Sequence, residues 1–459
     1  MSTAEVVICG AGIAGVSLAH ELACRRGVRD VVLVDPEPPL SVTSDKSTEC
    51  YRNWWPGPGD AMVRLMNRSI DRLEELAGET GNAFRLHPAG YAYFTATAEG
   101  ARALQAEARE VAALGGGDLH VHGSGDSGPP PPPPPSPSSP SAGLRRADLL
   151  LDGDVVRRRF PDVGAEVTAA LLVGRAGWLS AQQLGMALLE RAREAGGRLV
   201  RARVTGVRIE GDRVAGVELA GPAASIATRR FVAAAGPAVA EVARLLRVGL
   251  PVHHELHAKV TFDDHLGVVP RDLPLMIWND SQRLEWSEEE RRDLAADPAL
   301  AWLLEELPGG AHLRPEGGAG SRSVLMLWAY RTPPLERPVF PPAFDELYAQ
   351  VALRGLVTML PGLAPYLERG RRPYVDGGYY TRTAENRPLV GPLGPRGSFV
   401  VGALSGFGIM VSQGAAELAA CHLTGDTLPP YADAFRLERY ADPAYTRLLA
   451  SAGGARGQL

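Results

Sequence analysis

The sequence predicts an α/β protein in which a Rossmann-like nucleotide-binding domain is interleaved with an α+β domain built on a mainly antiparallel sheet. Three observations lead to this prediction. A glycine-rich turn joins a strand to a helix at the start of the chain, a second such turn opens a helix near residue 405, and the sequence between them carries strand patterns. Because both ends of the chain have the nucleotide-domain pattern, the chain is expected to cross between the domains more than once.

The opening segment, VVICGAGIAGVSLAHELACRRG, has the pattern of an apolar strand, a tight turn and an amphipathic helix. Gly10, Gly12 and Gly15 form GxGxxG, where glycine permits the turn, the approach of a pyrophosphate and close packing of helix on strand. A second apolar strand, VVLVDP, ends in Asp35, about twenty residues after Gly15, where a carboxylate accepts from ribose hydroxyls. The segment predicts a dinucleotide site.

The segment from Gly377 to Asp426 predicts a return to the same domain. A strand, SFVVGAL, is followed by a glycine turn, SGFGIM, that opens another helix. The free N–H groups of a helix N-terminus suit an electron-rich acceptor, such as the pyrimidine edge of a reduced flavin. A simple Rossmann dehydrogenase has no need of this return, so the segment favours FAD over NAD.

Between the two ends, the sequence predicts further strands and helices. GGRLVRARVTGVRIEGDRVAGVEL alternates as a β-meander, and ATRRFVAAAGPAVAEVARLL predicts a strand, a turn at Gly236 and a helix. A helix is expected over 177–197, capped by a serine. PVHHELHAKVTFDD and SVLMLWAYRTPP predict two strands of a sheet that covers the cofactor.

Taken together, these ordered motifs resemble the D-amino-acid oxidase superfamily of FAD enzymes, close to glycine oxidase, monomeric sarcosine oxidase and dimethylglycine dehydrogenase. The resemblance implies a GR2-type FAD-binding domain at 1–84, 146–250 and 374–445, with the substrate domain at 85–122 and 251–373. Residues 123–143, which include seven consecutive prolines, are predicted to form a flexible insertion, and 446–459 a C-terminal tail.

The resemblance also implies which residues bind FAD. The diphosphate and ribose would lie at the first glycine turn and Asp35, the adenine beside the backbone of Val204, and the isoalloxazine edge at the second glycine turn. The predicted FAD-binding residues are Gly10, Gly12, Ile13, Ala14, Gly15, Asp35, Lys46, Ser47, Thr48, Cys50, Val204, Gly236, Gly406, Phe407, Gly408, Ile409 and Met410.

The stretch TSDKSTECYRNWWPGPG, which follows the ribose-binding acid, is a candidate for contact with the flavin, because this segment in the superfamily runs along the ribityl chain. Lys46 is one of two lysines in the chain and is a candidate for the cofactor phosphates, with a surface lysine as the alternative. Cys50 takes the place of a histidine that attaches flavin in dimethylglycine dehydrogenase relatives. Noncovalent FAD is predicted, and a covalent bond to Cys50 is the alternative left open.

Substrate oxidation needs no dedicated base in this family, because the flavin accepts a hydride from the carbon next to nitrogen. The predicted catalytic residues are Arg52, Lys259 and Tyr380, and the predicted substrate residues are Trp55, Trp328 and Arg331. Relative to monomeric sarcosine oxidase, three functional positions differ: Gly378 replaces the flavin-linking cysteine, and Met410 and Met326 replace two lysines. These differences weaken the expectation of a small N-methyl amino acid substrate and of fast reaction with oxygen.

Composition excludes several function classes. The net charge of −5 gives no basic footprint for nucleic acid or anionic membrane. No segment predicts a signal peptide or a membrane span, and four cysteines without a CxxC pair fit a reducing compartment, so a cytoplasmic location is predicted. The histidine pairs 253/257 and 120/122 lack further ligands, so no metal site is predicted. The sequence does not predict the oligomeric state.

The leading interpretation is an oxidoreductase that converts an amine or amino acid to an imine, which then hydrolyses, with O2 or another acceptor reoxidising the flavin. A 2-hydroxy-acid dehydrogenase or oxidase with the same fold is one alternative. A non-catalytic flavoprotein subunit, which binds a partner through the proline tract, is the other.

Overall fold

The computed structural model describes residues 2–123, 145–221, 225–369 and 373–451. The predicted proline-rich insertion, apart from Gly123, lies outside the described residues. The strands, in chain order, are β1 Ser2–Thr3, β2 Val6–Cys9, β3 Val31–Asp35, β4 Cys50–Arg52, β5 Tyr91–Thr95, β6 Asp118–His122, β7 Arg146–Leu150, β8 Ala169–Val173, β9 Ala176–Trp178, β10 Arg198–Arg201, β11 Val204–Glu210, β12 Arg213–Leu219, β13 Ser225–Ala227, β14 Phe231–Ala233, β15 His253–Asp263, β16 Leu275–Trp278, β17 Ala311–Pro315, β18 Ser323–Leu327, β19 Tyr374–Arg382, β20 Leu389–Pro392 and β21 Ser398–Gly402.

The helices lie between the strands, apart from the last two, which follow the last strand. They are α1 Ile13–His20, α2 Ala61–Glu79, α3 Ala98–Val111, α4 Gly153–Arg159, α5 Ala181–Glu194, α6 Val239–Arg244, α7 Glu288–Ala296, α8 Tyr348–Met359, α9 Pro365–Arg369, α10 Gly408–Thr424 and α11 Pro443–Ser451. The helix expected over 177–197 is present as the shorter α5, with residues 177–178 in β9 instead, and Ser180 caps it by accepting from the N–H of Gln183. Among the described residues, no helix is long and apolar enough to cross a bilayer.

A six-stranded sheet in the order β10-β3-β2-β14-β21-β20 forms the Rossmann-like domain. Its strands are parallel except for the antiparallel pair β20 and β21. The first and last segments of the chain meet here, as predicted, because β2 and β21 both pair with β14. Every residue of α1 is buried, including Ser17 and His20, so this helix lies inside the domain.

The predicted meander is divided between two sheets. Its first strand, β10, joins the parallel sheet, whereas β11, β12 and β13 form a separate four-stranded sheet with β1. The continuous alternation of the sequence does not reveal this division, because an edge strand of a parallel sheet and a meander strand can have the same period of two.

The second domain is built on a nine-stranded sheet in the order β19-β15-β18-β17-β16-β5-β8-β7-β6. Its pairs are antiparallel apart from β16 with β5 and β6 with β7. The predicted division of the chain differs here. Strands β7, β8 and β19 fall in segments assigned to the FAD-binding domain, yet all three belong to this sheet. Part of the predicted tail is helical, because α11 extends to Ser451.

The two faces of the nine-stranded sheet are buried against different partners. We call the face that contacts residues 43–55 the inner face. The opposite, outer face packs against α8 and its neighbours in an apolar core that includes Phe94, Val260, Met276, Met326 and Trp328. Side chains alternate between the faces along each strand. The inner face therefore covers the edge of the Rossmann-like domain where the carboxyl ends of its parallel strands lie.

Candidate active site

A cavity of about 1120 Å³ runs between the Rossmann-like domain and the edge of the nine-stranded sheet. Its volume exceeds the range of roughly 300–1,000 Å³ that is typical of small-molecule sites, so it has room for a dinucleotide. Predicted FAD-binding residues form much of its wall, and those that line it are Gly10, Gly12, Ile13, Ala14, Asp35, Lys46, Ser47, Val204, Gly236, Gly406, Gly408 and Ile409.

The first glycine turn has the geometry that close approach of a cofactor needs. Gly10 has φ +117°, and a Cβ there would lie 2.3 Å from the carbonyl oxygen of Ala234. A Cβ on Gly15 would lie 1.9 Å from the carbonyl oxygen of Gly10. Gly15 does not line the cavity. Its missing Cβ lets α1 pack closely against the turn. These contacts place the N-terminus of α1 at the cavity, where its N–H groups suit a diphosphate.

Asp35 fixes the turn from the end of β3. Its carboxylate accepts from the N–H groups of Ala11, at 2.7 Å, and Glu37, at 2.9 Å. A carboxylate has about four acceptor positions, so capacity remains for ribose hydroxyls. Asp35 therefore fits the predicted ribose contact and also holds the backbone of the glycine turn.

Ser44 is a polar residue of this wall that sequence reasoning missed. Its hydroxyl accepts from the N–H of Ile13 at 3.0 Å, at the start of α1. The only signal is the hydroxyl-rich run SVTSDKST, within which the resemblance favours Ser47 and Thr48 instead. Ser47 lines the cavity, whereas Thr48 is buried outside the wall, and its carbonyl oxygen accepts from Nε of Arg314 at 2.7 Å.

The second glycine turn also borders the cavity, close to the start of α1, because a Cβ added to Gly408 would lie 3.9 Å from Cγ2 of Ile13. Residues Ser405–Phe407 form a single 3₁₀ turn, and α10 begins at Gly408, so its first N–H groups have no partner within the helix. Gly236 has φ +51°, and a Cβ added to it would have no atom within 4 Å, so its backbone borders open space. Phe407 and Met410 are buried beside this turn rather than in the wall, and Phe407 contacts the ring of Trp55 edge-on at 4.7 Å.

Neither of the two lysines has a free ammonium group. Lys46 Nζ lies 2.9 Å from Asp376 and 3.4 Å from Asp45, so it binds carboxylates at the cavity wall. Lys259 Nζ, on the inner face, donates to the carbonyl oxygen of Asp45 at 2.6 Å. Burial lowers the pKa of Lys259, and the carboxylates of Glu49, Asp376 and Asp45 oppose that effect. The two lysines join the loop over 43–49 to the sheet.

Arg52 is buried beneath the inner face at the end of β4. Its guanidinium lies 5.3 Å from the ring centre of Trp55 and 5.6 Å from that of Tyr91, and its Nε donates to the carbonyl oxygen of Trp54 at 3.1 Å. Stacking on aromatic rings is a geometry that guanidinium groups favour and ammonium groups do not reproduce. The structure thus brings together two of the predicted site residues, Arg52 and Trp55.

A buried polar group next to Tyr380 is not predicted by the sequence. Glu255 accepts from Arg382 at 2.6 Å and lies 3.1 Å from Nε2 of His257, and His257 stacks on Tyr380 with ring centres 4.0 Å apart. Burial would raise the pKa of Glu255, but hydrogen bonds and charge from His257 and Arg382 lower it to about 2. The sequence signal is HHELH in β15, a pattern that by itself indicates only a strand and a pair of histidines.

His312, on the neighbouring strand β17, is a second buried imidazole of the inner face. Its Nδ1 lies 2.8 Å from the carbonyl oxygen of Gly310. Burial lowers its pKa to about 4, the hydrogen bond with Gly310 opposes this effect, and the positive charge of Arg52 adds to it. The inner face therefore keeps its imidazoles neutral near Arg52.

Two predicted substrate residues lie elsewhere. Trp328 belongs to the outer face, where its indole N–H donates to the carbonyl oxygen of Pro308 at 3.0 Å and its ring packs against Gly355. Arg331 is exposed beyond β18 and stacks over Trp302. The β18 side chains on the inner face are those of Leu325 and Leu327, because these residues pair with Arg314 and His312. The position of Trp328 follows from the alternation along β18, because the sequence alone does not show which face each side chain of a strand occupies, whereas Arg331 lies beyond the end of the strand.

Met326, at the position that corresponds to an oxygen-activating lysine, also points into the outer core.

Cys50 is close to the site and is buried outside the cavity wall. Its thiol donates to the carbonyl oxygen of Thr48 at 3.2 Å, and burial raises its pKa. Within the described ranges, no group of three or more His, Cys, Asp or Glu side chains is arranged to hold a metal ion.

Comparison with known proteins supports the same assignment of fold. Residues 5–422 match the family model named DAO, FAD dependent oxidoreductase. No curated protein sequence matches the chain. Among solved structures, L-proline dehydrogenase from P. horikoshii is similar with a TM-score of 0.72 and 18% identity, covering 96% of this chain and 98% of that chain.

Two further structures are similar over nearly the whole chain. Glycine oxidase from Geobacillus kaustophilus has a TM-score of 0.70 and 18% identity, covering 96% of this chain and 99% of that one. L-alpha-glycerophosphate oxidase from Mycoplasma pneumoniae, with FAD bound, has a TM-score of 0.66 and 13% identity, covering 94% and 97%.

The chain belongs to the DAO family of FAD dependent oxidoreductases. Its cofactor is FAD, and the predictions of family, fold class and cofactor are confirmed. When bound, FAD supplies the acceptor for two electrons, a role that no amino-acid side chain fulfils. The glycine cradle, the acceptor capacity of Asp35 and the N-termini of α1 and α10 in the cavity wall fit this cofactor.

Proposed function

We propose that the protein oxidises a C–N bond of an amine or amino acid by transfer of a hydride to FAD, with hydrolysis of the imine product. The observation that carries this proposal is the buried guanidinium of Arg52, held between Trp55 and Tyr91 beneath the inner face. A carboxylate on the substrate would add a charge-assisted hydrogen bond to the contacts that Arg52 already makes with Tyr91 and Glu107, and aromatic rings would enclose the adjoining carbon chain.

Glu107 is a carboxylate that acts on Arg52, and the other charged groups of the inner face are compatible with an acidic substrate. Burial lowers the pKa of both His257 and His312, so these imidazoles are neutral at pH 7. Glu255 already binds Arg382, so its charge is compensated by another cation. An amino acid or N-substituted amino acid combines the carboxylate that Arg52 favours with a nitrogen next to the carbon to be oxidised. A secondary amine or N-methyl amino acid is included in this class.

We assign the FAD contacts to the cavity wall. Gly10, Gly12 and Asp35 would hold the diphosphate and ribose, Val204 and Gly236 would border the adenine half and the ribityl chain, and Gly406–Ile409 would hold the isoalloxazine edge. Tyr380 also lines the cavity and would contact the substrate side. Oxygen or another acceptor would reoxidise the flavin.

Anaerobic flavin bleaching tests the proposal. Purified holoenzyme is mixed with amines, amino acids and 2-hydroxy acids, and the flavin absorbance is followed. Bleaching by an amine or amino acid is expected. Bleaching by hydroxy acids alone would instead establish the alcohol-oxidising alternative, which a similar fold performs in L-alpha-glycerophosphate oxidase. Flavin that no substrate reduces would support the non-catalytic subunit.

Arg52→Met separates acid recognition from the rest of the site. Charge-assisted hydrogen bonds contribute about 1.5–3 kcal/mol, so the Kd of an amino acid is expected to rise roughly 10- to 150-fold. An amine substrate without an acid group should bind the variant and the wild type equally. Equal weakening of both ligand classes would show that Arg52 only supports the fold.

A further inference from the structure

The connection between β18 and α8 is long and irregular, and part of it forms a wall of the cavity. Residues 328–347, all of which the structure describes, contain neither a helix nor a strand. Connections longer than about 12–15 residues without regular structure are uncommon in compact domains and, where they are ordered, usually serve a function such as covering a site. We call residues 336–342 the strap. The strap residues that line the cavity are Pro338, Phe340, Pro341 and Pro342.

The strap lies where the cavity meets solvent. Phe340 and Pro341 line the cavity and are also exposed, Phe340 to 56%. Val339, beside Phe340, is 65% exposed. None of the strap residues belongs to the apolar cores of the described structure. A segment without buried apolar contacts can open locally at a low free-energy cost while the rest of the protein stays folded.

The side chain of Tyr379, on β19, holds the middle of the strap. Its hydroxyl accepts from the N–H of Val339 at 3.1 Å and donates to the carbonyl oxygen of the same residue at 2.6 Å. Its ring contacts that of Phe340 edge-on, with ring centres 5.3 Å apart. Tyr379 is itself buried and lines the cavity. Both hydrogen bonds must break before Val339 can move away from the cavity.

The chain on either side of the strap is attached to the nine-stranded sheet. Before the strap, the backbone groups of Leu335 and His254 exchange two hydrogen bonds, at 2.9 and 2.7 Å. After it, Tyr348 at the start of α8 is buried, and its hydroxyl donates to the carbonyl oxygen of Ala258. Release of the middle of the strap therefore frees only the segment between these two attachments.

We propose that the strap closes the mouth of the cavity over FAD and that Tyr379 determines how often it opens. When the two hydrogen bonds to Val339 break, the strap moves outward between its attached ends. FAD then enters or leaves through the space that Phe340 and Pro341 occupied. No covalent bond changes in this step. The inference depends on the cofactor, which membership of the family establishes, and not on the substrate proposed above.

The rates of FAD binding and release in Tyr379→Phe test this role. Phenylalanine keeps the buried ring and removes both hydrogen bonds to Val339. Because FAD passes the open strap in both directions, the association and dissociation rate constants should rise together, by about 5- to 100-fold for the loss of two hydrogen bonds. The Kd should therefore stay within a few-fold of the wild-type value. Flavin fluorescence measures association when FAD is mixed with apoprotein, and dissociation when holoenzyme is diluted.

Two results would overturn the proposal. A rise in the dissociation rate alone would show that the hydroxyl of Tyr379 only stabilises bound FAD. Unchanged rates would show that the strap does not limit exchange. Neither measurement needs turnover, so a failure of every amine to bleach the flavin would count against the proposed function and leave this test intact.

Tyr366→Phe is the matched control. The hydroxyl of Tyr366 likewise accepts from one N–H, that of Leu266, and donates to one oxygen, a carboxylate oxygen of Asp264. Its ring belongs to the core of the outer face and does not line the cavity. The variant should lose stability and keep both wild-type FAD rates. If it raises both rates as much as Tyr379→Phe does, the effect is a general loosening of the domain and the proposal fails.

Phe340→Ala tests the mouth of the cavity and retains the hydroxyl of Tyr379. More than half of the Phe340 side chain is exposed, so the fold should tolerate its removal. Both rate constants are expected to rise, because the ring no longer narrows the mouth. An association rate that is unchanged or lower would show that FAD enters elsewhere, against the proposal.

Discussion

The two faces of the nine-stranded sheet differ sharply although the same strands form both. Along β15, the outer face carries Ala258 and Val260 in an apolar core, whereas the inner face carries Glu255, His257 and Lys259. Such alternation normally indicates that one face is exposed to water. Here the polar face is buried against the Rossmann-like domain, so its charges are compensated by one another and by backbone groups. Polar residues that remain buried on one face indicate a ligand site.

This comparison explains what the sequence can predict. The cofactor half of the site depends on local motifs: a strand, a glycine turn and a helix N-terminus are contiguous in sequence, and spacing alone identifies Gly10, Gly15 and Asp35. The substrate half depends on register. His257, His312 and Arg52 come together from three distant strands, and no spacing in the sequence predicts their contact.

The errors have the same cause. The sequence places Trp328 in the substrate site because it lies on a predicted strand of the covering sheet, but a period-two pattern leaves the direction of each face open. Only the pairing of β18 with β15 and β17 shows that Trp328 points away from the cofactor. The observed division into domains differs from the predicted one for a similar reason. The sequence assigns β7, β8 and β19 to the FAD-binding domain, but their pairing places them in the nine-stranded sheet.

The largest effect is expected at the cofactor end. Gly15→Ala places a Cβ 1.9 Å from the carbonyl oxygen of Gly10, which forces α1 away from the turn. The purified variant should contain little or no flavin by absorbance, even after incubation with excess FAD. Gly78→Ala is the control, because this exposed glycine of α2 has no atom within 4 Å of a Cβ, and alanine should preserve the flavin content. Full flavin occupancy in Gly15→Ala would contradict the assigned cradle.

The outer face offers a stability test of the comparison. Trp328→Ala removes a fully buried indole and its hydrogen bond to Pro308, so the free energy of unfolding should fall by about 3–5 kcal/mol. The substrate Kd and the reduction rate of the folded fraction should be unchanged, as measured by denaturant unfolding and anaerobic bleaching. A change in substrate Kd comparable to that of Arg52→Met would mean that Trp328 acts from the inner side after all.

Low pH should reduce the contribution of Glu255 to the free energy of unfolding. The pKa of this carboxyl is about 2 in the folded protein, below its ordinary value of 4.5, because His257 and Arg382 bind its ionised form. A depressed folded pKa means that the stabilisation is present above about pH 4.5 and is lost as the pH falls toward 2.

Glu255→Gln should therefore reduce stability at pH 7 by roughly 1–3 kcal/mol and flatten the decline of the melting temperature between pH 5 and 2, which are about the limits of this titration. Thermal unfolding across that range measures the effect. An unchanged slope in the variant would show that other carboxyls control acid stability.

The smallest effect is expected at Cys50, where the question of covalent flavin attachment remains a prediction. A thiol must be close to the flavin and ionise readily to form a thioether, but the thiol of Cys50 is buried outside the cavity wall and donates to the carbonyl oxygen of Thr48. Burial also raises its pKa, which disfavours the thiolate. Acid denaturation of the wild type should therefore release all the flavin into the supernatant, and Cys50→Ala should bind as much FAD as the wild type. Flavin that stays with precipitated wild type and is released from Cys50→Ala would show that the thiol reaches the cofactor.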